Sequence, residues 1–269
     1  MDFSFKRRRF TNEKIIKNPR GGGARSLKSP QKSGFTLAEV LITLAVIGVV
    51  AALTIPVLVN KYQKKQLYTQ FMKTYNTLSA VMENAEAEHG EAINWNWGSW
   101  TYDYETGEKS RNEGDSPFEN YILSQLKYVK NCDEISDCFA SGYTYLDGDD
   151  GSVDDPNYSD KNLTNDILED SENAVILADG SVIGVNGERD RIEFYVDTNG
   201  KKGPNVFGRD LFYFEYNTGY YSGYSHVGFE LDEYDPNGYY GNNCNPDGSS
   251  KENGSGCASR LLQEGKMSY

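Results

Sequence analysis

Signatures of catalysis are missing from this 269-residue chain. There is no GxxxxGK(S/T) phosphate loop and no HExxH pair, and Gly223-Tyr224-Ser225-His226-Val227-Gly228 is one residue too long for a GxSxG nucleophile elbow. The run Gly21-Gly22-Gly23 has no strand and helix after it to make a nucleotide cradle. Histidine is nearly absent: His89 and His226 are the only two, both far in sequence from the four cysteines. Without a CxxC pair either, zinc has no ligand spacing to rest on. An enzyme, even one carried on a membrane anchor, therefore has no motif behind it.

Charge is missing from one long stretch. Phe35–Val59 holds no Lys, Arg or Asp and a single ionisable side chain, Glu39. At about 1.5 Å per residue the stretch is long enough to cross a bilayer. A carboxylate inside a spanning helix costs roughly 2.5–3.5 kcal/mol on insertion scales, which marks Glu39 as a functional residue. A cleaved secretory signal would have an apolar core of about 7–15 residues and a small-x-small site after it. Here the run is too long, and Asn60-Lys61-Tyr62-Gln63-Lys64-Lys65 follows. A plain signal anchor would fit the length, but explains neither Glu39 nor the Gly34-Phe35-Thr36-Leu37 sequence at its edge.

Those residues resemble the N-terminus of type IV prepilins and type II secretion pseudopilins. In that family a prepilin peptidase cuts after the glycine and methylates the new N-terminal phenylalanine. The resemblance makes Gly34 the last leader residue, Phe35 the methylated N-terminus and Glu39 the acidic residue at the family's usual offset. Pro56, the 22nd residue after Gly34, stands where many pilins kink their helix. The likeness is strong from Gly34 to about Glu88 and weaker beyond. It implies that residues 1–34 are removed, that the helix anchors in the inner membrane, and that the subunit packs with like and related pilin subunits on an inner-membrane assembly platform.

Charge divides along the same boundary. The leader carries ten Lys/Arg against Asp2 and Glu13, a net of +8; subtracting it from the whole chain's −13 leaves −21. Basic residues beside a span mark its cytoplasmic side, so the N-terminus is expected in the cytoplasm and the head outside, periplasmic or extracellular. A domain at −21 is not built to bind nucleic acid. Outside the cytoplasm, an even count of cysteines favours disulfides. Cys132, Cys138, Cys244 and Cys257 allow three connectivities, of which sequence proximity favours Cys132–Cys138 with Cys244–Cys257.

Beyond the span, Leu67, Phe71, Tyr75, Leu78, Met82 and Ala85 recur at helical spacing, so one helix is expected from Phe35 to about His89, stopped at Gly90. Its parts are a membrane span (35–59) and an amphipathic half (60–90); the head takes up 91–269. Ser116-Pro117-Phe118-Glu119 reads as a capping box opening a short second helix, with Phe118, Ile122, Leu126 and Val129 on one face and an end near Cys132. Four short strands follow over about 174–216: Ala174–Ala178 and Ser181–Val185 around an Asp179-Gly180 turn, then Arg191–Val196 and Leu211–Tyr216. The fold class is α+β: a long N-terminal helix against a small antiparallel sheet, the pilin-like layout. The tail from Tyr234 to Tyr269, rich in Gly, Asn, Tyr and Ser, is expected to be closed by cysteine and docked by Leu261, Leu262 and Met267. Trp95, Trp97 and Trp100 are expected to pack beneath the head rather than to meet a ligand.

Two acidic segments could hold calcium. Asp197-Thr198-Asn199-Gly200 has the closely spaced oxygens a hard cation needs, Asp197 and Asn199 being its candidate ligands, and some pseudopilins bind calcium in such a loop. It lacks a closing bidentate Glu, Lys201 and Lys202 oppose the charge, and a plain turn explains the same residues. Asp147, Asp149, Asp150, Asp154 and Asp155 read as a solvated loop more readily than as a site. The sequence thus points to a structural filament subunit of type II secretion or a type IV pilus, with a minor or tip pilin whose head binds a ligand or secreted substrate as the alternative.

Overall fold

The computed structural model describes residues 34–98, 100–102, 109–111, 116–152, 162–171, 173–187, 189–220, 227–231, 234, 243–248 and 253–269. The basic leader before Gly34, the acidic residues Asp154 and Asp155, His226 and most of the 235–252 stretch lie outside them. The chain divides into two compact units, one ending at Leu53 and the other beginning at Thr54.

Helix α1 runs Leu37–His89, with Pro56 inside it. It stops where expected: Gly90 turns the chain at φ +84° and donates its N–H to the Glu86 carbonyl at 2.8 Å. A left-handed residue there is inexpensive only for glycine, which is why the helix ends at this position. Pro56 has no N–H to give the Ala52 carbonyl, one turn back, so the helix lacks one bond there. From Phe71 onward one face is buried: Phe71, Thr74, Leu78, Val81, Met82 and Ala85. Leu67 and Tyr75 of the expected stripe are half-buried at its edge, and Thr74 and Val81 join it, so the stripe is wider than the spacing alone implies.

The second unit is built on a six-stranded antiparallel meander in sequence order. A separate ribbon pairs β1 (Trp100–Tyr102) with β2 (Lys109–Arg111). The main sheet comprises β3 (Tyr128–Asn131), β4 (Asn173–Leu177), β5 (Val182–Gly187), β6 (Arg191–Asp197), β7 (Leu211–Asn217) and β8 (Gly228–Glu230). The four central strands are those expected; the sheet extends beyond 174–216 by one short strand at each edge. The predicted second helix is shorter than expected. A wide turn at Phe118–Ile122 and a tight one at Leu123–Gln125 bury Phe118, Ile122 and Leu126, and the chain then becomes β3. Val129 is 68% exposed on that edge strand instead of continuing a helical face. Pairing with β4, where Asn131 lies opposite Val175, competes successfully for the backbone groups that a further helical turn would have used.

The apolar face of α1 from Phe71 on lies on one side of this sheet. The Phe71 ring is 4.7 Å from Phe212 and 6.1 Å from Phe214, and Tyr75 is 6.2 Å from Phe229. The opposite side carries a second cluster around Phe139, Tyr143 and Leu211, closed by Leu163 and Ile167 of α3 (Leu163–Asp170). Along β6, Ile192, Phe194 and Val196 are buried while Arg191, Glu193 and Tyr195 are half-buried, the alternation expected of a strand. Trp95 and Trp97 stack at 5.9 Å and are buried under the head, as expected; the Trp100 side chain lies outside the description.

Both disulfides pair by proximity. Cys132–Cys138 ties the end of β3 to α2 (Ile135–Cys138), and Cys244–Cys257 ties the tail to α4 (Cys257–Glu264). The tail docks through Ala258, Leu261, Met267 and Tyr269, with Leu262 half-buried, and the Tyr269 hydroxyl donates to the Gly208 carbonyl at 2.6 Å.

Candidate functional site

The N-terminal site begins before the helix. Gly34 is exposed and Phe35 is 88% exposed, and both precede α1, so the Gly34–Phe35 bond lies in exposed, non-helical chain. Thr36 then caps the helix. Its hydroxyl accepts the Glu39 backbone N–H at 3.2 Å, while Glu39 Oε2 accepts the Thr36 N–H at 2.7 Å and the Thr36 hydroxyl at 2.9 Å. This reciprocal Thr-x-x-Glu box satisfies donors that the first turn leaves unpaired and places a carboxylate at the positive end of the helix dipole. It also explains why α1 starts at Leu37 and not Phe35. The pattern is legible in the sequence as Thr36-Leu37-Ala38-Glu39, where the lone charge of Glu39 in an apolar run is the more conspicuous signal.

Past the cap, the large apolar residues from Leu37 to Val59 are exposed without exception, at 43–78%. So much contiguous apolar surface is untenable in water and demands lipid or other helices. The helix is long and apolar enough to cross a membrane. Glu39, Pro56 and the apolar face thus share one helix, whereas the cysteines and Asp197 belong to the head.

In the head, Asp197 and Asn199 do come together, joined by Asp210, which sequence reasoning did not single out. Asp197 closes β6 and is fully buried; it accepts the Tyr143 hydroxyl at 2.7 Å and the Asn199 N–H at 3.0 Å. Asp210, also fully buried, accepts the Val206 N–H at 2.7 Å, the Asn205 N–H at 2.8 Å and Asn199 Nδ2 at 3.2 Å. Burial pushes the Asp197 carboxyl up to about 7, with the neighbouring Asp210 charge adding to it and the Tyr143 hydrogen bond opposing it. Burial likewise raises Asp210, against the N–H donors of Val206 and Asn205. Glycine is required in this turn: at Gly200 (φ +66°) a Cβ would lie 2.4 Å from the Gly180 carbonyl oxygen. The Asp197 and Asp210 carboxylates accept protein donors, which makes the segment a buried polar turn at the β6–β7 connection, while Asn199 Oδ1 has no partner among the described residues. Asp147, Asp149 and Asp150 each accept an N–H two residues on, at 2.9–3.1 Å, which is turn chemistry. Among the described residues no three His, Cys, Asp or Glu side chains gather in a way that could hold a metal ion.

Comparison with known families divides the N-terminal helix near Pro56 between two family models. Residues 29–55 match the Prokaryotic N-terminal methylation motif, and that stretch brackets Gly34, Phe35 and Glu39. Residues 57–162 match a Family of unknown function (DUF6613). No curated protein and no solved structure matches the chain. The chain thus carries a prepilin-type N-terminal methylation motif, consistent with type IV prepilins and pseudopilins, ahead of a long apolar helix and an antiparallel-sheet head.

Proposed function

We propose that this chain, with the methylation motif of a pilin-type subunit at its N-terminus, is a structural subunit of an envelope-spanning filament. A prepilin peptidase cuts after Gly34 and methylates Phe35. The subunit waits in the inner membrane with its head outside, and then packs through α1 with like and related subunits. The observation that carries this reading is the motif at the head of a helix whose apolar residues from Leu37 to Val59 are all exposed.

Glu39 supplies the selection. Alone in lipid, its charge carries the full insertion penalty. Beside the Phe35 amine of a neighbouring helix, which stays cationic after methylation, the penalty is offset by pairing. Docking in register is thereby favoured over dispersal in the bilayer. Two variants test the scheme. Gly34→Leu crowds the extended backbone that enters the peptidase and should accumulate at full length. Glu39→Ala should insert and be cleaved, yet give little filament in sheared fractions. Wild-type filament yield from Glu39→Ala overturns the pairing mechanism, and normal processing of Gly34→Leu overturns the prepilin reading.

A further inference from the structure

From Thr54 onward the head is strongly acidic, but its foot is basic. The sequence has no Asp or Glu between Glu39 and Glu83, while Lys61, Lys64 and Lys65 follow directly on the apolar run. A cleft of about 600 Å³ opens beside them, lined by Lys64, Gln70, Asn199, Arg209 and Tyr269 among others. Lys201 and Lys202 stand exposed on the same loop as Asn199. The acids nearest in sequence to this loop, Asp197 and Asp210, have their oxygens engaged in the buried turn network, and Glu264, in the tail that brings Tyr269 to the cleft, is engaged by Arg260 at 2.9 Å. Among the described residues, Lys61, Lys64, Lys65 and Lys202 form no ion pair. Three lining side chains also keep a buried polar atom that no group among the described residues bonds: Gln70 Oε1, Asn199 Oδ1 and Arg209 Nε.

We propose that this cleft holds the headgroup of an anionic phospholipid while the subunit waits in the bilayer. Three considerations lead there. Lysines on the exported side of a span run against the usual charge bias and need an anionic neighbour. Lys61 to Lys65 lie two to six residues beyond Val59, about 3–9 Å along the helix, and a headgroup layer is about 5–7 Å deep. The chemistry is complementary: a phosphodiester accepts from Lys64 and Arg209, and headgroup hydroxyls donate to the Gln70 and Asn199 oxygens. The volume falls within the range of sites for small ligands. A phosphatidylglycerol-type lipid offers both phosphate and hydroxyls, whereas a zwitterionic choline head brings a cation to an already basic cleft. The inference rests on the proposed membrane anchoring of α1 and not on filament assembly.

The test uses the full chain in nanodiscs of equal phosphatidylglycerol and phosphatidylcholine, with the lipid retained on release read by native mass spectrometry. The anionic lipid should be retained in preference by about tenfold or more, and each of Lys64→Gln and Arg209→Gln should cut that preference about fivefold. Both side chains are half-buried and neither forms an ion pair among the described residues, so folding should survive; a melt in detergent verifies this. Raising the salt to about 0.5 M screens the exposed lysines and should leave the cleft-bound lipid in place. Equal retention of both lipids, or a preference unchanged in the two variants, overturns the proposal. So does displacement of the lipid by millimolar glycerol phosphate, which would assign the cleft to a soluble phosphate ester. A chain that fails to stay in the discs at all refutes membrane anchoring itself, a separate outcome.

Discussion

Replacing Asp197 by Asn should remove a specific part of the head's pH dependence. The Asp197 carboxyl is buried and its folded value is about 7, against 3.8 when the group is free. A group whose affinity for protons rises on folding stabilises the fold below its unfolded value, and that stabilisation disappears as pH climbs through the folded one. Asp197 therefore favours the head at low pH and ceases to contribute above about pH 7. Integrating between those limits, roughly 2–3 kcal/mol of stability is lost between pH 5 and pH 8. Asn cannot ionise, yet its oxygen can still accept from Tyr143 or from the Asn199 N–H. Denaturant unfolding of the full chain in detergent, at pH 5, 6, 7 and 8, measures the difference between wild type and Asp197→Asn. That difference should shift by roughly 2–3 kcal/mol over the range, with the variant gaining relative stability as pH rises. Carboxylates remote from Asp197 cancel in the comparison; Asp210, whose charge raises Asp197, does not, and an Asp210→Asn variant measured alongside separates its share. A difference independent of pH would refute the argument, because it would mean that Asp197 is ionised in the fold across the whole range.

Phe71→Ala should destabilise the head by about 3–5 kcal/mol, since a fully buried ring packed on Phe212 is lost, and a shift in the unfolding midpoint measures it. Reduction of both disulfides should lower the melting temperature; the loop closed by Cys244 and Cys257 alone accounts for about 3 kcal/mol on a chain-entropy view. Mass mapping of an unreduced digest should recover Cys132 with Cys138 and Cys244 with Cys257. Chelation should leave the melt unchanged, because the Asp197 and Asp210 oxygens already accept protein donors; a lower midpoint would place calcium at Asp197 and Asn199.

What was legible in the sequence follows from the range of each signal. The long helix was plain because Phe35–Val59 is uniformly apolar, the stripe from Phe71 keeps its period, and Gly90 is a local stop. The β4–β5 hairpin was plain because Asp179-Gly180 is a turn written in adjacent residues. The edge strands were not, since β3 and β8 have four and three residues and gain their identity from partners elsewhere in the chain. Val129 illustrates the point: its spacing from Phe118, Ile122 and Leu126 suits a helix, but the free edge of β4 competes for the same backbone. The Asp197 network was half legible. Asp197 and Asn199 are neighbours and mark a turn, whereas Tyr143 and Asp210 reach it only through the fold. The basic foot was hidden for the same reason, as Lys64 and Arg209 are far apart in sequence and share a cleft only once the loop after β6 lies beside α1.

The cap at Thr36 bears on how Glu39 can serve assembly. In the structure its carboxylate is already bonded to Thr36, and a cut after Gly34 leaves every one of those bonds in place, because Thr36 remains an internal residue. What the cut adds is a cationic amine on Phe35, directly before the cap. The mature helix would then carry a positive charge ahead of its own positive dipole end, with Glu39 three residues inside the cap. A neighbouring carboxylate relieves that excess, and Glu39 can offer one of its oxygens because the cap uses only Oε2. Capping and intersubunit pairing are thus compatible on one side chain. Glu39→Gln separates them: Gln keeps an acceptor for the Thr36 N–H and so preserves the helix start, but brings no charge to the amine. If charge pairing selects register, Glu39→Gln should assemble as poorly as Glu39→Ala while keeping the membrane insertion of wild type. Filament yield near wild type in Glu39→Gln, with Glu39→Ala deficient, would instead assign the residue's role to the cap.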